Sequence, residues 1–262
     1  MALDFSGKNA LITGASSGIG VDIAKGFARR GANLILVARR TDKLEAVARE
    51  IEAATGVSVT TITQDLSAPG ATAALEIKLA KAGTQIDVLV NNAGFGTNER
   101  LVNENRARVS EEIHLNIGAL VDLTAAYLPG MIERDFGAIV NIGSTASFQP
   151  VPGMAVYSST KAFVRNFTAS VWGEVKSKNV RVLVVNPGAT QSEFFEVADA
   201  KPFGTLMPSQ AVTDTMFKAL DARNSRPSVV VGGLNSVTSR LSAMMGTKAV
   251  TKIASKLYLK AE

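Results

Sequence analysis

Two side chains that can hold and release a proton, Tyr157 and Lys161, are four residues apart in the string Tyr-Ser-Ser-Thr-Lys. Four residues make about one helical turn, so on a helix both side chains project from the same face. A free phenol has a pKa of about 10, which a neighbouring ammonium lowers by favouring the phenolate. Ser144, thirteen residues earlier, can hydrogen-bond a substrate oxygen. The three residues predict general acid–base chemistry, and the alternative for Tyr157 and Lys161 is a solvated helical pair.

A glycine-rich segment near the N-terminus has the form of a phosphate-binding turn. The apolar run Asn9–Thr13 is followed at once by Gly-Ala-Ser-Ser-Gly-Ile-Gly at 14–20 and then by apolar residues at helical spacing. In such a strand–turn–helix the backbone approaches a pyrophosphate closely, and free amides at the helix start favour its charge. The spacing differs from the common Gly-x-Gly-x-x-Gly dinucleotide pattern, and a tight turn without a ligand is the alternative.

The second apolar run, Asn33–Ala38, is followed by Arg39 and Arg40. In a dinucleotide fold, an acid about 20 residues beyond the glycine turn accepts hydrogen bonds from the ribose of NAD. No acid stands at this strand end, and guanidinium groups fit a phosphate in bidentate geometry. The pair therefore predicts NADP(H), with Arg39 as the partner of the 2′-phosphate and Arg40 as its support. The alternative is two solvated arginines that open the next helix.

Together these segments resemble the short-chain dehydrogenase/reductase family from about Gly7 to Gly232. The order and spacing of four residues match the family's catalytic tetrad: Asn116, Ser144, Tyr157 and Lys161. The resemblance implies a single Rossmann-type domain and hydride transfer between NADP(H) and a carbonyl or secondary alcohol.

The resemblance also implies a role for each member of the tetrad. Tyr157 is the general acid/base, Ser144 binds the reacting oxygen, and Lys161 lowers the pKa of Tyr157 and hydrogen-bonds the nicotinamide ribose. Asn116 interrupts its helix and holds a water that relays protons. The cofactor-binding residues predicted in all are Gly14, Ser16, Ser17, Gly18, Ile19, Gly20, Arg39, Arg40, Asp65, Leu66, Asn92, Ala93, Gly94, Tyr157, Lys161, Pro187, Gly188 and Thr190.

Composition agrees with an α/β enzyme. Hydrophobic residues make up 46% of the 262 residues, with 22 glycines, which suits parallel strands buried on both faces. The chain has no cysteine, which excludes disulfides and cysteine metal sites, and we predict no metal site. The formal charge of +5 is mild and lacks the basic, aromatic pattern of a nucleic-acid interface. No apolar run is long enough to span a membrane and no secretory signal is visible, so we predict a cytoplasmic protein.

Strand and helix patterns alternate along the chain. Strands are predicted at 9–13, 33–38, 57–62, 87–90, 138–142, 180–185 and 228–231, and helices at 42–54, 68–82, 108–128 (ending near Pro129) and 155–178. Such alternation predicts a doubly wound parallel sheet of about seven strands with helices on both faces. We expect one dinucleotide-binding and catalytic domain over 1–262, which includes a substrate loop region at 190–226 and a C-terminal tail at 234–262.

His114 is the only histidine and a tempting acid or base. It lies two residues before Asn116, so on a helix it points to a different face. We therefore predict a structural role for it.

The substrate loop suggests an apolar ligand. The segment 191–208 carries Phe194, Phe195, Phe203, Leu206 and Met207. Apolar residues in a loop beside a nicotinamide site are typical of a lid over an apolar substrate. Packing of the loop on its own domain is the alternative. A ketone, a steroid-like alcohol or a 3-oxoacyl thioester would suit this pocket, which other residues extend: Phe95, Gln149, Val151 and Met154.

The tail is both apolar and basic, and Gly246 is predicted to divide it into two helices. Its cations are Arg240, Lys248, Lys252, Lys256 and Lys260. Such helices can pack on their own domain with lysines facing water, contact a partner subunit, or lie on an anionic membrane. We favour packing or a contact between subunits. The family resemblance implies a homodimer or homotetramer built on the helices at about 108–128 and 155–178.

Three functions are compatible with these patterns. The first is an NADP(H)-dependent carbonyl reductase or alcohol dehydrogenase. The second is an NADP(H)-binding regulatory protein without significant turnover, which would need neither Tyr157 nor Lys161. The third is a peripheral membrane protein that uses the basic tail. The intact tetrad favours the enzyme.

Overall fold

A computed structural model describes residues 3–202, 204–224 and 226–259, so Phe203 and Lys260 lie outside the described residues. Strands and helices alternate as predicted. The strands are β1 (Asn9–Thr13), β2 (Asn33–Ala38), β3 (Val59–Thr63), β4 (Val88–Asn91), β5 (Gly137–Ile142), β6 (Val180–Asn186) and β7 (Ser228–Val230). The helices are α1 (Gly18–Arg29), α2 (Thr41–Thr55), α3 (Ala71–Lys81), α4 (Arg106–Ile113), α5 (Leu120–Glu133), α6 (Ala155–Val175), α7 (Phe194–Val197), α8 (Gln210–Leu220), α9 (Gly233–Met244) and α10 (Thr247–Tyr258).

Within the described ranges, seven strands form one parallel sheet in the order β3-β2-β1-β4-β5-β6-β7. The order changes direction at β1, which pairs with β2 on one side and with β4 on the other. Right-handed crossovers on the two sides of this point place helices on opposite faces of the sheet. The predicted doubly wound Rossmann-type fold is confirmed.

Two apolar cores lie on the two faces of the sheet, because successive strand residues point to opposite sides. Ala10 and Ile12 of β1 belong to a core with α1, α2 and α8, whereas Leu11 belongs to a core with α3, α5 and α6. Phe27 in the first core and Leu75 in the second are fully buried. Burial on both faces explains the nearly continuous apolar strands of the sequence.

The helix predicted to end near Pro129 instead continues to Glu133. Proline removes one backbone hydrogen bond. The last turn is nevertheless held in place, because Met131 is fully buried and Ile132 packs against the second core. The region predicted as one helix also contains a π-helical segment, His114–Ala119, between α4 and α5.

The stretch Arg106–Glu133 is long and apolar enough to cross a membrane by length and composition, with a mean hydropathy of 1.4 in an 18-residue window. A core helix of a soluble protein passes the same test. Leu123 and Met131 of this stretch belong to the second core, and α5 packs on β4 and β5. Only 33% of the window is buried, so packing on the sheet accounts for part of its apolar character. The expectation that no segment is long and apolar enough to span a membrane is wrong by length and composition.

An aromatic cluster holds α1 and α8 together. The Phe27 ring contacts Phe5 at 5.1 Å and Phe217 at 4.9 Å between centroids, both edge to face. The Arg30 guanidinium lies 4.0 Å from the centroid of Phe217 and donates to both carboxylate oxygens of Asp221. Since α1 begins at the glycine turn, this cluster fixes the position of the turn.

We expect Phe27→Ala to reduce the free energy of unfolding by about 3–5 kcal/mol, because it leaves a cavity at a fully buried site. Urea denaturation followed by circular dichroism measures the loss. Ile77→Ala is the control, since Ile77 on α3 is 55% exposed and its removal should cost much less. Equal losses in the two variants would contradict the assignment of Phe27 to the core.

Candidate active site

The glycine turn is clamped to the end of β4. The side-chain amide of Asn92 donates to the backbone oxygens of Thr13 (2.9 Å) and Gly14 (3.1 Å), and the Thr13 hydroxyl accepts from the amides of Asn92 and Ala93. Gly14 has a φ of +66°, and a Cβ there would lie 2.8 Å from Nδ2 of Asn92. Only glycine fits this position without a shift.

Gly18 and Gly20 were predicted to bind the cofactor, but they do not line the cavity. A Cβ on Gly20 would collide with the Gly14 oxygen, and one on Gly18 would lie 2.8 Å from the Cβ of Ser192. Their small size lets helix, turn and substrate loop approach each other. Ser17 caps α1 without a side-chain hydrogen bond, which leaves the first amides of the helix available to an anion.

The two arginines after β2 differ in their surroundings. Arg40 donates to the hydroxyls of Ser16 (3.2 Å) and Ser17 (3.0 Å) and forms an ion pair with Glu193 at 2.7 Å. The Arg39 side chain is 63% exposed, and its nearest carboxylate oxygen, on Asp65, is 3.9 Å away. Arg39 therefore has the freer guanidinium, while Arg40 braces the turn.

Sequence reasoning missed Glu193, which joins the substrate loop to the arginine side of the cavity. Its carboxylate lies 2.7 Å from Arg40 and 2.7 Å from Lys43 of α2. Hydrogen bonds from these two cations lower the pKa of Glu193 to about 2. It is therefore ionised throughout the physiological range, although partial exposure weakens the ion pairs.

The predicted proton-transfer residues lie together at the other end of the cavity. Ser144 lies close enough to Tyr157 to lower the pKa of its phenol. The ammonium of Lys161 lies 5.8 Å from the centroid of the Tyr157 ring and donates to the Ile142 oxygen at 2.8 Å. Tyr157 and Lys161 share one face of α6, and Lys161 is only 6% exposed. The alternative of a solvated pair does not describe these residues.

Burial dominates the protonation of this pair. It raises the pKa of Tyr157 to about 12, against a lowering effect of the Ser144 hydrogen bond, and lowers the pKa of Lys161 to about 8. Loss of hydration favours the neutral form of a group, and this is the largest influence on both. Lys161 is not among the groups that shift the pKa of Tyr157, so the expected lowering by Lys161 stays a prediction. Tyr157 is a protonated acid at neutral pH.

Asn116 lies in the π-helical segment and is 1% exposed. Its side chain accepts from the Phe95 amide (3.1 Å) and donates to the Phe95 oxygen (2.8 Å) and to the Thr160 hydroxyl (3.1 Å). It thus joins the loop after β4 to α6 and does not itself line the cavity. His114 is exposed and outside the cavity, in agreement with the prediction that it is not an acid or base.

A buried amide network, also missed, fixes α5 and α6 on the sheet. The side-chain amide of Asn91 in β4 donates to Asn141 of β5 at 2.9 Å and to Thr124 of α5 at 3.2 Å. Asn141 in turn donates to Thr168 of α6 at 2.8 Å. Because α6 carries Tyr157, these bonds position the acid.

Glu112 was missed as well. It is fully buried on α4, one turn before Asn116, and burial raises its pKa to about 7. The spacing of four residues from Asn116 was the signal that could have identified it.

The glycine turn, the two arginines and the predicted proton-transfer residues surround one cavity of about 870 Å³. Apart from Gly18 and Gly20, every predicted cofactor-binding residue lines it. So do Ser144 and seven of the residues predicted to surround the substrate: Phe95, Gln149, Val151, Met154, Phe194, Phe195 and Met207. Leu206 does not. The Phe194 ring lies 5.0 Å from the ring of Tyr157, so the substrate loop reaches the acid.

The tail forms part of the same cavity. It divides at Gly246 into α9 and α10, as predicted. One face of α10 lines the cavity with Val250, Ile253, Ala254 and Leu257, while Lys248, Lys252 and Lys256 are exposed. Of the three arrangements considered, α10 therefore shows packing on its own domain with lysines facing water.

The other tail helix, α9, turns polar residues towards the cavity and apolar residues towards solvent. It lines the cavity with polar residues, namely Asn235, Thr238, Ser239 and Ser242. Its exposed apolar residues are Leu234 (78%), Val237 (55%), Leu241 (55%) and Met244 (85%). Except for Leu234, which also lines the cavity, these apolar side chains are turned away from it.

The residues fit a phosphorylated dinucleotide. One end of the cavity has three features that suit phosphates: free amides at the start of a helix, a glycine turn in which an added Cβ would clash, and two arginines. A cavity of this size falls within the usual range for ligand sites. No group of three or more His, Cys, Asp or Glu side chains able to hold a metal occurs among the residues that the structure describes.

Comparisons with known proteins agree with this geometry. A family model described as short chain dehydrogenase matches residues 8–202. Very-long-chain 3-oxoacyl-CoA reductase-B of Danio rerio is 37% identical over 185 residues, which are 69% of this chain and 59% of that protein. 17-beta-hydroxysteroid dehydrogenase type 3 of Homo sapiens is 38% identical over 190 residues, 71% of this chain and 60% of that protein. The chain thus matches about three fifths of the length of these two relatives.

A solved structure is also similar over most of the fold. The short-chain dehydrogenase from Sphingobium yanoikuyae in complex with NADPH superposes with a TM-score of 0.80 at 33% identity. The match covers 91% of this chain and 96% of that chain.

The Tyr157 phenol, half-buried in the cavity wall, should titrate above the ordinary value near 10, because loss of hydration favours its neutral form. An absorbance titration of tyrosinate formation, wild type minus Tyr157→Phe, isolates its transition. Tyr127→Phe is the matched control, because the pKa of Tyr127 is also raised to about 12 and its transition can be subtracted in the same way. A Tyr157 transition at or below pH 10 would contradict the dominance of burial.

Proposed function

The chain belongs to the short-chain dehydrogenase family, and on that premise we propose that it is an NADP(H)-dependent oxidoreductase. It transfers a hydride between the nicotinamide and a carbonyl or secondary alcohol of an apolar substrate. One observation carries the proposal: a single cavity joins the glycine turn and the arginines to the paired hydroxyls of Ser144 and Tyr157. The similar Sphingobium yanoikuyae enzyme is described in complex with NADPH.

When bound, the nicotinamide would supply or accept the hydride. The chain's own residues manage the proton. Tyr157 is protonated at neutral pH, and this is the form that donates to a carbonyl oxygen. The Ser144 hydroxyl donates a hydrogen bond to the same oxygen, where negative charge develops. Lys161 carries the positive charge that compensates the phenolate left after transfer. Alcohol oxidation reverses these roles.

We assign the phosphates of the cofactor to the arginine end of the cavity. The free amides at the start of α1 and the hydroxyls of Ser16 and Ser17 suit the pyrophosphate. Arg39, whose guanidinium is mostly exposed, is the proposed partner of the 2′-phosphate, and Arg40 supports the turn beside it.

The substrate proposed is apolar and elongated or bulky. Apolar side chains from the loop after β5, the substrate loop and α10 line the same cavity as the reacting hydroxyls, among them Val151, Phe194 and Ile253. The names of the relatives from Danio rerio and Homo sapiens refer to a very-long-chain 3-oxoacyl thioester and a steroid. Either class would fill an apolar cavity of this size.

A second candidate is a regulatory NADP(H)-binding protein without turnover. Such a protein would need the glycine turn and the arginines but not a buried acid. The placement of Ser144, Tyr157 and the buried Lys161 on one cavity therefore favours the enzyme.

Self-association and location remain proposals. Ile113 of α4 (43% exposed) and Phe163 of α6 (40% exposed) are apolar residues on the two long helices that the family resemblance assigns to subunit contacts. They support a homodimer or homotetramer. The apolar stripe of α9 supports a further contact outside the chain, either with a second copy or, as the less favoured alternative, with a membrane surface. A cytoplasmic location stays a prediction.

The function is tested by following NADPH consumption with apolar ketones, aldehydes and 3-oxoacyl thioesters. We expect Tyr157→Phe to reduce turnover by about 10²–10⁴-fold, because it removes the proton donor. NADPH binding, measured by fluorescence, should persist. Tyr127→Phe is the control. Turnover retained in Tyr157→Phe would remove Tyr157 from the mechanism, and no turnover with any carbonyl would favour the regulatory protein.

Arg39→Ala should weaken NADPH binding by about 10- to 100-fold, as expected for a hydrogen bond to a charged group. NADH binding should change little, because NADH lacks the 2′-phosphate. Isothermal titration measures both affinities, and Arg49→Ala on the exposed face of α2 is the control. Equal losses for both cofactors would contradict the phosphate assignment.

A further inference from the structure

Glu112 is a buried acid that the proposed mechanism does not use. It is fully buried on α4, and its carboxylate Oε2 accepts from the Thr97 hydroxyl at 3.0 Å. Its Oε1 is also buried and has no hydrogen-bond partner among the residues that the structure describes. The hydrogen bond from Thr97 uses only one carboxylate oxygen, so it does not account for the burial of the other, Oε1. An interior oxygen without a protein partner is available to a solvent molecule that can carry a proton.

The charge of Glu112 is coupled to the proton-transfer pair. Lys161 lowers the pKa of Glu112, and Glu112 raises the pKa values of both Lys161 and Tyr157. Burial is the largest influence and brings the pKa of Glu112 to about 7. Glu112 is therefore an acid that can gain or lose a proton at physiological pH. Asn116, one turn after Glu112, approaches the lysine, because a Cβ on Gly94 would lie 2.8 Å from Oδ1 of Asn116 and 3.5 Å from Nζ of Lys161.

A second carboxyl of the same kind lies nearer to the surface. Glu104, in the loop before α4, is half-buried, and its Oε2 is buried without a partner among the described residues. Burial and the charge of Glu99 raise its pKa, and Arg108 lowers it. Glu104 also raises the pKa of Glu112, while Arg108 lowers it. Two coupled carboxyls thus lead from the buried lysine towards solvent.

We propose that Glu112 is a positioning residue for proton delivery, which exchanges protons with Lys161 and passes them to solvent by way of Glu104. This rests on the proposed function. In carbonyl reduction Tyr157 gives one proton to the substrate oxygen, Lys161 restores the proton of Tyr157, and Glu112 restores that of Lys161. The Glu112 carboxylate then takes a proton from Glu104 or solvent. In alcohol oxidation the same proton moves outward, and Glu112 must begin as the carboxylate.

The decisive variant is Glu112→Gln, which keeps the volume and an oxygen for Thr97 but cannot titrate. Glu111→Gln is the matched control, because it makes the same change of charge at the preceding, exposed residue of α4. In alcohol oxidation we expect the wild-type kcat to rise through about pH 7. Glu112→Gln should lose this step and about tenfold or more of kcat, with KM little changed. Glu111→Gln should keep the wild-type profile.

An infrared titration of the protein without substrate provides a readout independent of turnover. The carbonyl stretch of a buried, protonated carboxyl should be present at pH 6, absent at pH 9, and missing from Glu112→Gln. Turnover by wild type and its loss in Tyr157→Phe establish the enzyme first. Given that, a wild-type pH profile in Glu112→Gln, or a loss confined to KM, overturns the relay alone. Absence of the infrared band overturns it as well.

Discussion

Parallel strands that end at one edge of the sheet are the constraint on which the site depends. Parallel pairing places the carboxyl ends of the strands at one edge of the sheet, namely those of β1, β2, β4, β5 and β6. The loops that leave these ends therefore surround one crevice. The clamp between Asn92 and Thr13 shows the consequence, because the loop after β4 holds the glycine turn after β1. Groups nearly 180 residues apart in sequence, from Gly14 to Thr190, therefore surround the same cavity.

Within this crevice, exclusion of water sets the chemistry. Loss of hydration keeps the Tyr157 phenol protonated. It also lowers the pKa of Lys161 to about 8 and raises the pKa of Glu112 to about 7. The ordinary pKa values of tyrosine, lysine and glutamate span about six units. The shifts bring the pKa values of the lysine and the glutamate close to each other. Groups with similar pKa values exchange protons without a large energetic penalty, and the proposed relay depends on this condition.

The side of the cavity that would receive substrate is built from segments distant in sequence. Glu193 ties the substrate loop to Arg40 and Lys43, so the loop that carries Phe194 is coupled to the phosphate end. Helix α10 adds an apolar wall, whereas α9 turns polar residues inward and an apolar stripe outward.

Local patterns in the sequence were enough to predict the sheet, the glycine turn, the arginine pair and the acid on α6, because strand alternation, turn glycines and a four-residue helical spacing are short-range properties. The continuation of α5 beyond Pro129 was not predictable, since it depends on the burial of Met131 and Ile132 against a distant sheet. Tertiary structure alone decided three features: the protonation of Tyr157, the lining of the cavity by the tail helices, and the burial of Glu112. Each depends on how completely remote segments exclude water, and no spacing along the chain records that.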